Sequence, residues 1–93
     1  MAKVTVKITG GSSDAKMVWD AGNVDLNQSG ASYSGEIPPA IATPGTHTYA
    51  VTLFGAPGEA WTVTVSGGKK TFNHAGHMGP SGFDTTGDTQ YEI

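Results

Sequence analysis

Apolar and polar residues alternate with a period of two through much of this chain, the pattern of strands with one face inward and one toward water. Val4, Val6 and Ile8 alternate with Lys3, Thr5, Lys7 and Thr9. Met17 and Trp19 fall on one side of a second strand, with Lys16, Val18 and Asp20 on the other. Val24 and Leu26 begin a third, Asn27 to Ser29 reads as a loop, and Tyr33, Gly35 and Ile37 alternate with Ser32, Ser34 and Glu36. The clearest pattern covers 46–66. His47, Tyr49, Val51 and Leu53 share a face there; Gly55-Ala56-Pro57-Gly58 turns; then Trp61, Val63 and Val65 alternate with Thr62, Thr64 and Ser66. β-branched and aromatic residues on both sides of a turn predict a hairpin. Gly67-Gly68 signals another turn before Thr71-Phe72-Asn73, and Tyr91 and Ile93 alternate with Gln90 and Glu92 at the end.

Punctuation between these runs is strong. Gly10-Gly11-Ser12-Ser13-Asp14 and Asp20-Ala21-Gly22-Asn23 are turn clusters. Pro38-Pro39 ends regular pairing, because proline has no N–H to donate, so 38–45 must cross between sheets or follow an edge. No segment sustains the 3.6-residue apolar period of a helix. Seven or eight short strands predict an all-β fold: a small antiparallel β-sandwich of immunoglobulin-like architecture, with a small β-barrel as the alternative. The 93 residues make a single domain, 1–93, since a chain of this length supports one core.

Composition narrows the chemistry. There is no cysteine, which excludes disulfides, thiolate metal sites and a cysteine nucleophile. Charged residues are 14%, and the 14 glycines are about twice the usual share. This uncharged balance leans toward extracellular or virion β-domains; compartment is otherwise unassigned, with no signal peptide or transmembrane segment visible. Net charge is −3, with five lysines and no arginine, so nucleic acid is not an expected partner.

The stretch 74–88 shows no strand pattern and reads as a flexible loop, the chemically richest segment of the chain. His74 and His77 are a candidate transition-metal pair, with Asp84, Asp88 or His47 completing the shell. On a continuous strand, residues three apart point to opposite faces, so that pair converges only if the chain turns at Ala75-Gly76. Asp84 and Asp88, with Thr85 and Thr86 between them, are a calcium candidate, although the Asp-x-Asp-x-Asp run is missing. Gly79-Pro80-Ser81-Gly82-Phe83 approaches a nucleophile elbow but carries Phe83 where glycine is needed. No enzyme activity is expected, and no cofactor beyond that calcium or transition metal.

Trp61 lies in phase with Val63 and Val65 and is assigned to the core. Trp19 sits among turn residues and is the candidate exposed platform for stacking on a sugar ring. Thr46, Thr48, Thr52, Thr62 and Thr64 would line one outer face of the 46–66 hairpin, a flat surface without the lysines that discourage association. The first expected function is a non-catalytic binding module for carbohydrate or adhesion, through Trp19, His74, His77, Asp84 and Asp88. The second is a structural or assembly subunit, a homo-oligomer or a partner of another protein surface, docking through the threonine face. A His74/His77 metal loop is the third. No membrane insertion is expected.

Overall fold

The computed structural model describes residues 3–10, 13–30 and 32–93. Gly11 and Ser12, the centre of the first turn cluster, lie outside the described residues. The fold is all-β, with ten strands among the described residues: β1 (Thr5–Thr9), β2 (Asp14–Trp19), β3 (Gly22–Val24), β4 (Asn27–Ser29), β5 (Ser32–Glu36), β6 (Thr46–Phe54), β7 (Ala60–Ser66), β8 (Phe72–His77), β9 (Phe83–Thr85) and β10 (Thr89–Glu92). They form two antiparallel sheets packed as a sandwich, not a closed barrel. The first sheet has the order β4-β5-β1-β7-β8; the second has β10-β6-β2-β3, with β9 also on β6.

Alternation fixes which side of each sheet turns inward. Val6 and Ile8 of β1, Tyr33 of β5, and Trp61, Val63 and Val65 of β7 face Ala15, Met17 and Trp19 of β2, Tyr49, Val51 and Leu53 of β6, and Tyr91 of β10. All are buried. The intervening positions are mostly hydroxyls, amides and charges that keep their water, with Val18 and Phe54 as exposed apolar exceptions.

Three expectations need correction. First, there are more strands than seven or eight. β4 was read as a loop because Asn27, Gln28 and Ser29 are all exposed on a sheet edge, where no core face imposes alternation. Second, 74–88 is not a loop throughout: 74–77 end β8 and 83–85 form β9. β8 runs through His77, and its inward residues are Phe72, His74 and Gly76, so no aliphatic period marks them. Gly76 is small for a reason: a Cβ there would lie 2.8 Å from the Trp61 ring.

Third, 46–66 is not a hairpin. β6 and β7 belong to different sheets, and the Gly55-Ala56-Pro57-Gly58 arch carries the chain across the core. Its backbone bonds outward to the 78–82 turn, from Gly55 N–H to the Gly82 carbonyl and from Gly58 N–H to the Met78 carbonyl. Both strands are apolar on one face, and those faces meet across the core rather than side by side. The single threonine face therefore splits: Thr46, Thr48 and Thr52 lie outside the second sheet, and Thr62 and Thr64 lie outside the first.

β9 and β10 act as one interrupted edge strand. Thr52 pairs with Thr85 and Tyr49 with Thr89, so Ala50 and Val51 stand opposite Thr86, Gly87 and Asp88. Gly87, at φ 70°, supplies the left-handed residue of this bulge.

Candidate functional site

The sequence-nominated residues are scattered. Trp19 is 1% exposed, which corrects its assignment as a surface platform. It points inward because it is in phase with Ala15 and Met17, and the chain at 38–45 covers it. Its indole Nε1–H donates to the Ile41 carbonyl at 3.2 Å, and its ring lies on the His47 ring at 4.9 Å between centroids and edge-on to Tyr91.

His74 and His77 do not converge, since β8 runs straight through both and alternation sends them to opposite faces. His74 points inward, and its Nε2 accepts from the Tyr49 hydroxyl at 2.6 Å. Burial lowers the His74 pKa and pushes Tyr49 up to about 12, which keeps both neutral. His77 is exposed beyond it. Asp84 and Asp88 fall on either side of the bulge. Asp84 Oδ2 accepts the Trp61 indole N–H at 3.0 Å, and Oδ1 takes the Thr85 backbone N–H at 2.8 Å. Asp84 is thus a partner that lets the Trp61 nitrogen be buried. Among the described residues, no group of three or more His, Asp or Glu side chains gathers to hold a metal.

His47 is 8% exposed, and it is the one buried polar residue the described core contains. Nδ1 meets the Asp20 carboxylate, and Nε2 lies 2.6 Å from the Thr43 carbonyl oxygen. Asp20 sits in a two-residue turn between β2 and β3, where Asp20 and Ala21 both adopt positive φ (48° and 66°). The Thr48 backbone N–H donates to Asp20 Oδ1 at 2.9 Å, and Asp20 N–H returns to the Thr48 carbonyl. These bonds explain why a strained turn without glycine persists. They also hold the Asp20 carboxyl below its ordinary value, through the His47 contact first and the Thr48 N–H second.

Trp19, His74 and Asp84 are consumed internally, His77 and Asp88 are exposed apart from one another, and a different place stays open. Between β8 and β10, where the two sheets end side by side, Lys69, Lys70, Phe72, Gln90, Tyr91 and Glu92 line a cleft of about 360 Å³. Half-buried Phe72 meets Tyr91 edge-to-face at 5.5 Å. The β7–β8 turn is tied down over β10 by Gly68 N–H to the Tyr91 hydroxyl at 2.8 Å and Lys69 N–H to the Glu92 carbonyl at 2.9 Å. Gly68 permits that approach, because a Cβ there would meet the Glu92 carbonyl oxygen at 2.5 Å.

Sequence reasoning missed this cleft because its parts come from two places distant in sequence, the turn into β8 at 69–72 and strand β10 at 90–92. The Lys69-Lys70 pair beside Phe72 was the available signal: these are the only adjacent cations in the chain. No protein-family model, curated protein or solved structure matches this chain.

A second open feature is aromatic. Phe54 (36% exposed) and Phe83 (47% exposed) are register partners across β6 and β9, with rings 6.4 Å apart, on the outer face of the second sheet.

Proposed function

We propose that this domain is a non-catalytic carbohydrate-binding module whose site is the β8–β10 cleft. One observation carries the reading: a half-buried aromatic ring, Phe72, stands in a concavity ringed by an amide, a carboxylate and two ammonium groups. The apolar face of a pyranose stacks on such a ring, while Gln90, Glu92 and the lysines bond its hydroxyls. Two ammoniums against one carboxylate favour a sugar bearing an acidic group, such as a uronic acid or a sulfate ester.

The test is NMR titration of the protein with neutral and uronic or sulfated oligosaccharides. The expected result is shifts at Phe72, Gln90 and Glu92, strongest with acidic sugars. Phe72→Ala should weaken binding by tenfold or more, equivalent to about 1.4 kcal/mol. The Lys69→Ala/Lys70→Ala pair should remove the preference for acidic over neutral sugars. Silence of the cleft resonances with every sugar would end this reading.

The Phe54–Phe83 pair favours a second reading, self-association or docking on a protein partner through the outer face of the second sheet. Phe54→Ser/Phe83→Ser should convert any concentration-dependent oligomer seen by sedimentation to monomer. A wild-type protein that stays monomeric up to millimolar concentration removes the self-association arm.

A further inference from the structure

His47 contains more chemistry than a core residue needs. Both ring nitrogens face groups that only accept hydrogen bonds, a carboxylate and a backbone carbonyl. A neutral imidazole has one N–H, so it can satisfy one of them. With the proton kept on Nδ1 for Asp20, the Nε2 lone pair would point at the Thr43 oxygen 2.6 Å away, a repulsive contact. An imidazolium, with an N–H at each ring nitrogen, fits both contacts.

The carbonyl that Nε2 holds belongs to the segment 38–45, which straps the open end of the sandwich between β5 and β6. Its other ties are the burial of Ala42 in the core and a handful of hydrogen bonds. The Pro38 carbonyl takes the N–H groups of Ile41 and Ala42, the Trp19 indole donates to Ile41, and Gly45 exchanges two 2.9 Å backbone bonds with Ile93. Ile93 directly follows Glu92 and Tyr91 of the cleft, and Tyr91 is the register partner of His47 itself.

We propose that His47 is a proton-operated latch: as an imidazolium it clamps Thr43 to Asp20, and loss of its proton releases the 38–45 strap and slackens the adjoining end of β10 in the cleft. The last step, regulation of the cleft, rests on the carbohydrate reading above; the latch itself does not.

The electrostatics agree with the geometry. The Asp20 hydrogen bond first, and the Thr43 carbonyl second, raise the His47 pKa above its ordinary value, against the opposing effect of burial. Among the described residues, the titratable groups facing His47 are Asp20 from the β2–β3 turn and Tyr91 from β10. Glu92 lies next along β10 with its side chain exposed, and 38–45 contains no ionisable side chain. A folded pKa raised above the unfolded one means that the stabilisation is complete below about pH 6.5, and is lost as pH rises through the folded value.

The experiment follows the His47 ring by NMR from pH 5 to 9 and, on the same samples, amide exchange of Ile41, Ala42, Gly45 and Ile93, corrected for intrinsic base catalysis. The expected result is a His47 midpoint above 6.5 and a loss of strap protection of tenfold or more through that midpoint. Asp20→Asn should move both transitions together to lower pH. His47→Gln, where it folds, should show fast strap exchange at every pH. Strap protection that stays constant while His47 titrates overturns the latch, as does a strap transition that Asp20→Asn leaves in place. Affinity for an acidic oligosaccharide, measured across the same range, should fall with the strap. Unchanged affinity beside an opening strap overturns the regulation, and absence of any binding sinks the carbohydrate reading while leaving the latch judged by exchange alone.

Discussion

Gly67→Ala is expected to remove a large part of the domain's stability. Gly67 ends β7 at φ +106°, a conformation that L side chains rarely adopt. The position also has no room. A Cβ would stand 1.8 Å from the Lys3 carbonyl oxygen and 2.7 Å from its carbon, and both are backbone atoms that no rotamer change can move. Lys3 leads into β1, which lies between β5 and β7 at the centre of the first sheet. Moving it breaks the ladder in which Thr5 faces Ser66 on one side and Glu36 on the other. Left-handed strain of about 1–2 kcal/mol and overpacking of about 1–3 kcal/mol together approach the stability of a small domain, about 5–15 kcal/mol. Thermal melting should fall by roughly 15 °C or more, or soluble protein should be lost. Gly58→Ala is the control: φ is +80° there, but nothing lies within 4 Å of the added carbon, so only the strain remains. A Gly67→Ala protein melting within a few degrees of the Gly58→Ala protein would contradict this account.

Trp19→Ala is expected to cost about 3–5 kcal/mol, the range for deleting a fully buried aromatic ring. The loss is larger here than a cavity alone, because the indole holds neighbours in place. It stacks on His47, meets Tyr91 edge-on and donates to the strap at Ile41. Urea unfolding should show a reduced midpoint with the slope unchanged. Trp19→Phe keeps much of the packing but orphans the Ile41 carbonyl, and should fall between the two. A Trp19→Ala loss under about 1 kcal/mol would mean that the site collapses without penalty and that the stack contributes little.

The sandwich was legible wherever one strand face met the core. Val4 to Ile8, Tyr49 to Leu53 and Trp61 to Val65 alternate because their inner neighbours are apolar, and the structure buries these inner positions. What could not be read is which strand lies beside which. A turn of Gly, Ala, Pro and Gly looks the same whether it closes a hairpin or arches between sheets, since the decision rests on contacts with 78–82 far along the chain. Trp19 was misplaced for a related reason: its cover, the 38–45 strap, is distant in sequence. His74 and His77 illustrate the opposite case. The rule that residues three apart diverge on a strand was available from spacing alone, and it decides the geometry once β8 is seen to continue through Gly76. The cleft stayed hidden because its lining joins 69–72 to 90–92, and no local period shows that the edges of two different sheets meet there.

The central place of β1 has a consequence for how the chain acquires its shape. Thr5 meets Ser66, a neighbour 61 residues away in sequence, so β1 has one flank unpaired until β7 has been made. Its apolar residues Val4, Val6 and Ile8 must wait through that interval without their final partners. Long-range pairing of this kind places folding in the millisecond-to-second range rather than the microsecond range. During translation, β1 gains its second sheet neighbour only after six strands have been made.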